Sequence, residues 1–277
     1  MKIILWGVRG SIPNSGPETK HYGGNTSCVA VFKDDWLLVL DGGSGLQRLV
    51  IPNKPQANRI DILLTHLHLD HIQGLGFFKP LFDPSMDIHI WGPASSTHTL
   101  HSRLSRYLSP PLFPVNIREL PCKLTLHEVE NSLFDIGPFT IQSGYIIHPG
   151  PTVGFRIQCD EKVFTYIPDH EPALGRIGML ADSKWISGID LAMHADLLLH
   201  DGQYTTEEYK KTVGWGHSSI LNAVEFAAKA NVKRLVLSHH DPMHSDAKLD
   251  EIFADFKEKN KFSFPYELAV EGVVIEI

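Results

Sequence analysis

The chain has 277 residues, 43% of them hydrophobic and 21% charged, which is enough apolar content for the core of one long α/β domain spanning 1–277. A formal net charge of −7 argues against indiscriminate nucleic-acid binding, which needs a cationic surface, although 16 histidines make the true charge depend on pH and bound cations. Three scattered cysteines, Cys28, Cys122 and Cys159, argue against a disulfide framework and for a reducing cytoplasm, and no apolar run reaches membrane-spanning length.

The first apolar run, 2–7, is too short for the core of a signal peptide and reads as a strand. Strands at 27–33 and 36–41 follow the turn Tyr22-Gly23-Gly24-Asn25, and a helix at 44–51 follows the glycine-rich Asp41-Gly42-Gly43-Ser44-Gly45. Asp41 has two readings: it orients a histidine by accepting its second N–H, or it caps the helix. The run Asp61-Ile62-Leu63-Leu64-Thr65 predicts a buried strand over 60–65 that ends directly in His66-Leu67-His68-Leu69-Asp70-His71. Helices are expected at 72–80 and 96–107, with a strand at 87–91 between them. The segment 79–126 is the least regular, and its Leu108-Ser109-Pro110-Pro111-Leu112-Phe113-Pro114 is too rigid and apolar for a solvated loop. It reads as a lid, a homodimer contact or a packed crossover.

Strands at 139–147, 153–159, 162–167, 195–200, 233–238 and 268–276 alternate with helices at 206–212, 218–230 and 246–257. This interleaving suits two sheets packed face to face with helices outside. His217 lies just ahead of an amphipathic helix whose apolar stripe is Ile220, Leu221, Val224, Ala227 and Ala228, with Ser218 or Ser219 as N-cap. The positive end of that helix suits a phosphate, and His217 is placed to give a proton to a leaving oxygen while Asp201 holds its tautomer. His217 as an ordinary residue at a helix start is the bland alternative. Tyr22, Phe113, Tyr204 and Trp215 lie near these motifs and are unranked as stacking partners for a base.

Four metal-type side chains within six residues at the carboxyl end of a strand are hard to explain as packing. His66 and His68, two apart on an extended segment, project from one side and can share an ion. Asp70 and His71 are better placed for a second ion once the chain turns into the next helix.

His66-x-His68-x-Asp70-His71 resembles the signature of the metallo-β-lactamase superfamily. The resemblance implies a four-layer αβ/βα sandwich of two similar halves. It also implies further ligands at the ends of later strands, here His148, Asp169 and His239, with His170 and His240 as neighbouring rivals. By that resemblance, His66, His68 and His148 hold one ion, Asp70, His71 and His239 hold the other, and Asp169 bridges both around a nucleophilic water or hydroxide. Five histidines among seven ligands favour zinc, and manganese or iron also fit such a site. Asp201 with His217-Ser218-Ser219, and the pattern Gly7-Val8-Arg9-Gly10-Ser11 with Tyr22-Gly23-Gly24-Asn25-Thr26-Ser27-Cys28, resemble the phosphodiesterase branch. That branch contains the tRNA 3′-processing endonuclease RNase Z and the cyclic-phosphate phosphodiesterases. Glycines there are expected to allow tight turns near the site, and Asn25 or Thr26 to bond the ligand shell.

Aspartate at position 201 replaces the glutamate of the RNase Z pattern. Only 21 positions separate His148 from Asp169 (169 − 148) and 32 separate Asp169 from Asp201 (201 − 169), with no basic, glycine-rich arm. The expectation is therefore a dinuclear hydrolase with Asp70, His217 and Asp201 as its catalytic set. Its expected substrate is a small phosphodiester, foremost a 3′,5′-cyclic mononucleotide, and not a large RNA or a membrane. The alternatives are a hydrolase of carbonyl esters, thioesters or lactones, a di-iron oxidoreductase, disfavoured because such members typically carry glutamate where His68 stands, and a non-catalytic metal carrier of the same fold.

Overall fold

Alternation along Trp36-Leu37-Leu38-Val39-Leu40 sets the layering: Leu38 and Leu40 join one core while Leu37 and Val39 join another. The structure is a computed structural model describing residues 1–51, 58–172 and 178–277. Its strands are β1 (Lys2–Gly7), β2 (Cys28–Lys33), β3 (Trp36–Leu40), β4 (Arg59–Leu63), β5 (Asp87–Pro93), β6 (Lys123–Val129) and β7 (Ser132–Ile136), then β8 (Phe139–Tyr145), β9 (Val153–Cys159), β10 (Lys162–Ile167), β11 (Leu197–Asp201), β12 (Leu235–Ser238), β13 (Tyr266–Leu268) and β14 (Val274–Glu276). The α-helices are α1 (Leu69–Ile72), α2 (Leu100–Leu104), α3 (Ile189–Ala192), α4 (Thr206–Thr212), α5 (Ile220–Lys229) and α6 (Asp246–Lys259).

Two seven-stranded sheets result, in the orders β14-β1-β2-β3-β4-β5-β6 and β13-β12-β11-β10-β9-β8-β7. In the first, β3, β4, β5 and β6 run parallel; in the second, β10, β11, β12 and β13 do so, and the remaining pairs are antiparallel. Each sheet is thus half parallel and half antiparallel. Ile3, Leu5, Leu38 and Leu40 share the inner core with Phe139, Phe155, Phe164 and Tyr166. Outside the second sheet, Leu198 and Leu237 pack with Val224 and Ala227 of α5 and with Leu249 and Ile252 of α6. Outside the first, Ile60, Ile62, Ile88 and Ile90 pack with Leu75, Leu100, Leu104 and Phe113. The layers are helix, sheet, sheet, helix, the α/β sandwich expected.

Several boundaries differ from the sequence reading. The helix expected at 72–80 begins earlier, so Asp70 and His71 lie inside α1, which then gives way to single 3-10 turns at Leu75–Phe77 and Lys79–Phe82. The helix expected at 44–51 is a 3-10 segment, Ser44–Arg48. The run 268–276 is two strands in different sheets, because Gly272 takes a left-handed φ of 85° and turns the chain between them. β6 and β7 went unread, since both alternate half-exposed residues with no continuous apolar run. The 108–114 segment packs as a crossover through buried Leu108 and Phe113, while Leu112 stays exposed. No helix among the described residues is long and apolar enough to cross a membrane.

Phe155 is fully buried between the sheets. Phe155→Ala is expected to destabilise the fold by about 3–5 kcal/mol, read from the shift in a urea unfolding midpoint. A loss below about 1 kcal/mol would mean that the sheets do not share a close-packed core.

Candidate metal centre

The carboxyl ends of β3, β4, β10, β11 and β12 deliver Asp41, His66, Asp169, Asp201 and His239 in turn. That is the edge at which open α/β sheets bind ligands. His68 and the first turn of α1 follow His66, and His148 arrives on the loop after β8. His148, Asp169 and His217 form one overlapping set of ligand-type atoms, and two adjacent groups carry the rest of the cluster: His66, His68 and His148, and Asp70, His71, Asp169 and His239, with the atoms of each set within 4.8 Å of one another. The rivals fall outside all three sets. His240 turns away, its Nε2–H donating to the Ala269 carbonyl at 2.8 Å, and His170 faces His200 at 3.0 Å.

Asp169 stands between the groups. Its Oδ2 is 3.8 Å from both His66 Nε2 and His148 Nε2, and its Oδ1 is 3.1 Å from His71 Nε2 and 3.3 Å from His239 Nδ1. Asp70 Oδ2 is 3.4 Å from His71 Nε2 and accepts the Ser11 N–H at 2.9 Å. His68 Nδ1 and His148 Nε2 approach to 3.1 Å.

The outer nitrogens of His66, His71 and His148 are tied back, which fixes their orientation. Asp41, fully buried, accepts the Thr65 N–H at 2.7 Å, the Thr65 hydroxyl at 2.9 Å, the His71 Nδ1–H at 2.8 Å and the Tyr166 hydroxyl at 2.9 Å. With its own proton committed to Asp41, the Thr65 hydroxyl accepts from His66 Nδ1–H at 3.0 Å. His148 Nδ1–H donates to the Gly216 carbonyl at 2.8 Å. Each of these three histidines therefore turns its Nε2 toward the cleft. Of the two readings of Asp41, orientation is the one the structure shows: the following 3-10 segment has no side-chain cap.

The electrostatics call for cations. Burial drives His66 and His239 well below the usual imidazole range, with neighbouring histidines adding to the effect, and burial brings His148 to about 3. They are neutral, as metal ligands must be. At His71 burial also lowers the pKa, but the carboxylates of Asp169, Asp41 and Asp70 more than offset it and raise it. Burial raises Asp169 to about 6 against the pull of His71 and His217. His66 Nε2 and both ring nitrogens of His239 are buried with no hydrogen-bond partner among the described residues, and His71 Nε2 faces the Asp169 and Asp70 carboxylates. Orphaned buried donors and acceptors are costly, and their convergence on one point fits divalent cations.

Beside this cluster His217 Nδ1 is 2.8 Å from Asp201 Oδ2, and its ring stacks on His239 with centroids 4.9 Å apart. Asp201 is held in turn by the N–H groups of His170 and Gln203. Burial alone would lower the His217 pKa; the charge and hydrogen bond of Asp201, with Asp169 and Asp70, push it up to about 9. Ser219 proves to be the N-cap of α5, accepting from Asn222 N–H, and Ile220 N–H donates to the Tyr204 carbonyl. These donors of the first turn are thus already engaged, and the helix end is not the open phosphate cradle expected.

Asn25 and Thr26 do not reach the ligand residues. Asn25 bonds Glu271, and Thr26 Oγ1 accepts from Ser44 N–H and the Gln73 side chain. Gly10 is a close-approach glycine: a Cβ there would sit 2.5 Å from the His239 ring, as one at Gly216 would sit 2.6 Å from His148 Nδ1. Of the four aromatics, Tyr22, Phe113 and Tyr204 are buried, and Trp215 is 62% exposed. Sequence reasoning missed Thr65, Tyr166 and Glu171. The Glu171 carboxylate accepts from Tyr209 O–H, Gly214 N–H and Gly216 N–H, fixing the loop that carries His217. Its adjacency to Asp169 was the one available signal.

Residues 38–240, well over half of the chain, match the family described as the beta-lactamase superfamily domain. A ribonuclease Z of Myxococcus xanthus is 27% identical over 289 residues, covering 91% of this chain and 92% of that protein. Among solved structures, the metallo-beta-lactamase fold protein YhfI from Bacillus subtilis superposes with a TM-score of 0.71 at 22% identity, over 99% of each chain. Human tRNase Z, short form, superposes with a TM-score of 0.70 at 23% identity, over 100% of this chain and 99% of that one. With its paired histidine and aspartate groups, this chain belongs to the beta-lactamase superfamily and is a metal-dependent hydrolase of the metallo-β-lactamase fold.

Proposed function

We propose that the chain hydrolyses a small phosphodiester, foremost a cyclic nucleotide, at a dinuclear centre. In this reading His66, His68 and His148 hold one cation, Asp70, His71 and His239 hold the second, and Asp169 bridges them. The histidine-rich donor set favours zinc, with manganese or iron as workable substitutes. Two such cations supply charge for the phosphoryl oxygens and a water whose pKa is lowered toward neutrality.

The observation that carries the reaction class is the His217–Asp201 pair. Asp201 engages Nδ1 of His217, which leaves Nε2 for the substrate, and the charge and hydrogen bond of Asp201 favour the protonated imidazole. A protonated imidazole beside the metal groups is suited to give its proton to a departing alkoxide, which a phosphodiester ester oxygen needs. Carbonyl esters and thioesters have less need of a separate acid held this way. Asp70, its Oδ2 fixed by the Ser11 N–H, would be a carboxylate ligand of the second cation. The ribonuclease Z relatives bear a name that points to RNA, and RNA is the competing substrate. A chain of net charge −7 without a basic arm between His148 and Asp201 supports the smaller one.

The experiment is parallel hydrolysis by the zinc- or manganese-loaded protein of 3′,5′-cyclic AMP, 2′,3′-cyclic AMP, a linear phosphodiester, a tRNA precursor and a thioester. Cyclic phosphodiester turnover is expected to dominate; turnover of the thioester alone would overturn the reading, and preference for the tRNA precursor would replace the substrate. Asp169→Ala is expected to release both cations and abolish turnover, and two equivalents retained by elemental analysis would refute the bridge. His217→Ala is expected to keep its metal and lose turnover by on the order of 10²–10⁴. An unchanged rate would reduce His217 to a structural residue.

A further inference from the structure

A cavity of about 320 Å³ opens against His66 and His68, and its far wall belongs to the segment 103–112. Its volume is in the range of small-ligand sites. Helical turns continue from α2 through Leu108, since Ser105 N–H bonds to His101 O and Leu108 N–H to Leu104 O. Leu100, Leu104 and Leu108 are buried on one side of these turns. Arg103, Arg106 and Tyr107, at i, i+3 and i+4, share the other side and line the cavity. The Tyr107 hydroxyl donates to Gln73 O at 2.6 Å, clamping this wall to the end of α1, the helix that carries Asp70 and His71. The two guanidinium groups thus stand on a wall held in register with the metal centre.

These cations are only partly engaged. Arg103 Nη2 bonds the Pro93 carbonyl and pairs with Glu128 Oε1 at 3.7 Å, while its Nε is buried with no hydrogen-bond partner among the described residues. Arg106 is exposed, and Nη2 reaches His98 Nε2 at only 3.4 Å. Between the arginines and His68 the lining is apolar, through Ile72, Tyr107 and Leu112. An apolar middle with cation-binding histidines at one end and guanidinium donors at the other matches an organic body bearing an anion at each end.

We propose that this cavity seats the nucleoside part of the substrate and that Arg103 and Arg106 bind a second phosphate on its far side. The proposal rests on the phosphodiesterase reading. It extends that reading to acyclic phosphodiesters whose nucleoside bears a second phosphate, because a 3′,5′-cyclic mononucleotide has no free 3′ or 5′ oxygen to carry one.

Calorimetric titration of the metal-loaded protein with adenosine 5′-monophosphate and adenosine 3′,5′-bisphosphate tests it without requiring turnover. The bisphosphate is expected to bind about tenfold or more tightly than the monophosphate, with the ratio collapsing toward one in Arg106→Ala. Arg103→Lys, which keeps a cation but removes Nε and the planar fork, is expected to reduce the ratio in part. In parallel, kcat/KM for 3′-phosphothymidine 5′-(p-nitrophenyl phosphate) should exceed that for the same ester without the 3′-phosphate. Equal affinities in the wild-type protein, or a ratio unmoved by both substitutions, would overturn the subsite. Failure to cleave either ester while the binding ratio holds would instead overturn the phosphodiesterase reading.

Discussion

The Asp41 carboxylate organises the centre. Four donors converge on one fully buried acidic side chain: the N–H and hydroxyl of Thr65, the Nδ1–H of His71 and the hydroxyl of Tyr166. Through Thr65 it fixes His66, and directly it fixes His71, so one anion sets the orientation of a histidine in each metal-type group. Losing one partner of such a buried bond typically costs about 1–3 kcal/mol, more for a charged group, which makes the arrangement close to all-or-none. Its backbone reflects the same demand. Asp41 has φ 57° and His239 has φ 61°, left-handed conformations uncommon outside glycine and tolerated where surrounding bonds over-determine the chain.

What was legible in the chain depended on how local the physics is. His66 to His71 could be found from spacing alone, because four donors within six residues need no tertiary knowledge. His148, Asp169 and His239 stood out only by resemblance, each being a single polar residue after an apolar run, as were His170 and His240. Only the fold separates the ligand-type residues from their neighbours, by turning His239 into the cleft and His240 toward Ala269. The bonds that tie Asp41 to Thr65, His71 and Tyr166 span 24, 30 and 125 residues, and nothing in a linear pattern marks them.

The edges of the sheets were less legible for a related reason. β6 and β7 lie at or beside the ends of their sheets, where one face lacks a full covering layer and the strands need no continuous apolar run. The run 268–276 looks like a single strand because its alternation is good on both sides of Gly272; only the left-handed turn sends β13 and β14 to different sheets. The loop before α5 is a third case. Its helix signature was correctly seen, yet Tyr204 and Ser219 take up donors that an isolated helix would offer to an anion.

The two sheets contribute unequally and jointly to the centre: His66, His68, Asp70 and His71 follow β4, whereas His148, Asp169 and His239 follow strands of the other sheet. Any cation gripped by both sets is therefore a tether between the halves of the sandwich, replacing at one edge the apolar contacts that join them elsewhere. Metal affinity and folding free energy become one linked quantity. Stability, and with it resistance to proteases, would then rise with the free concentration of that ion in the surroundings.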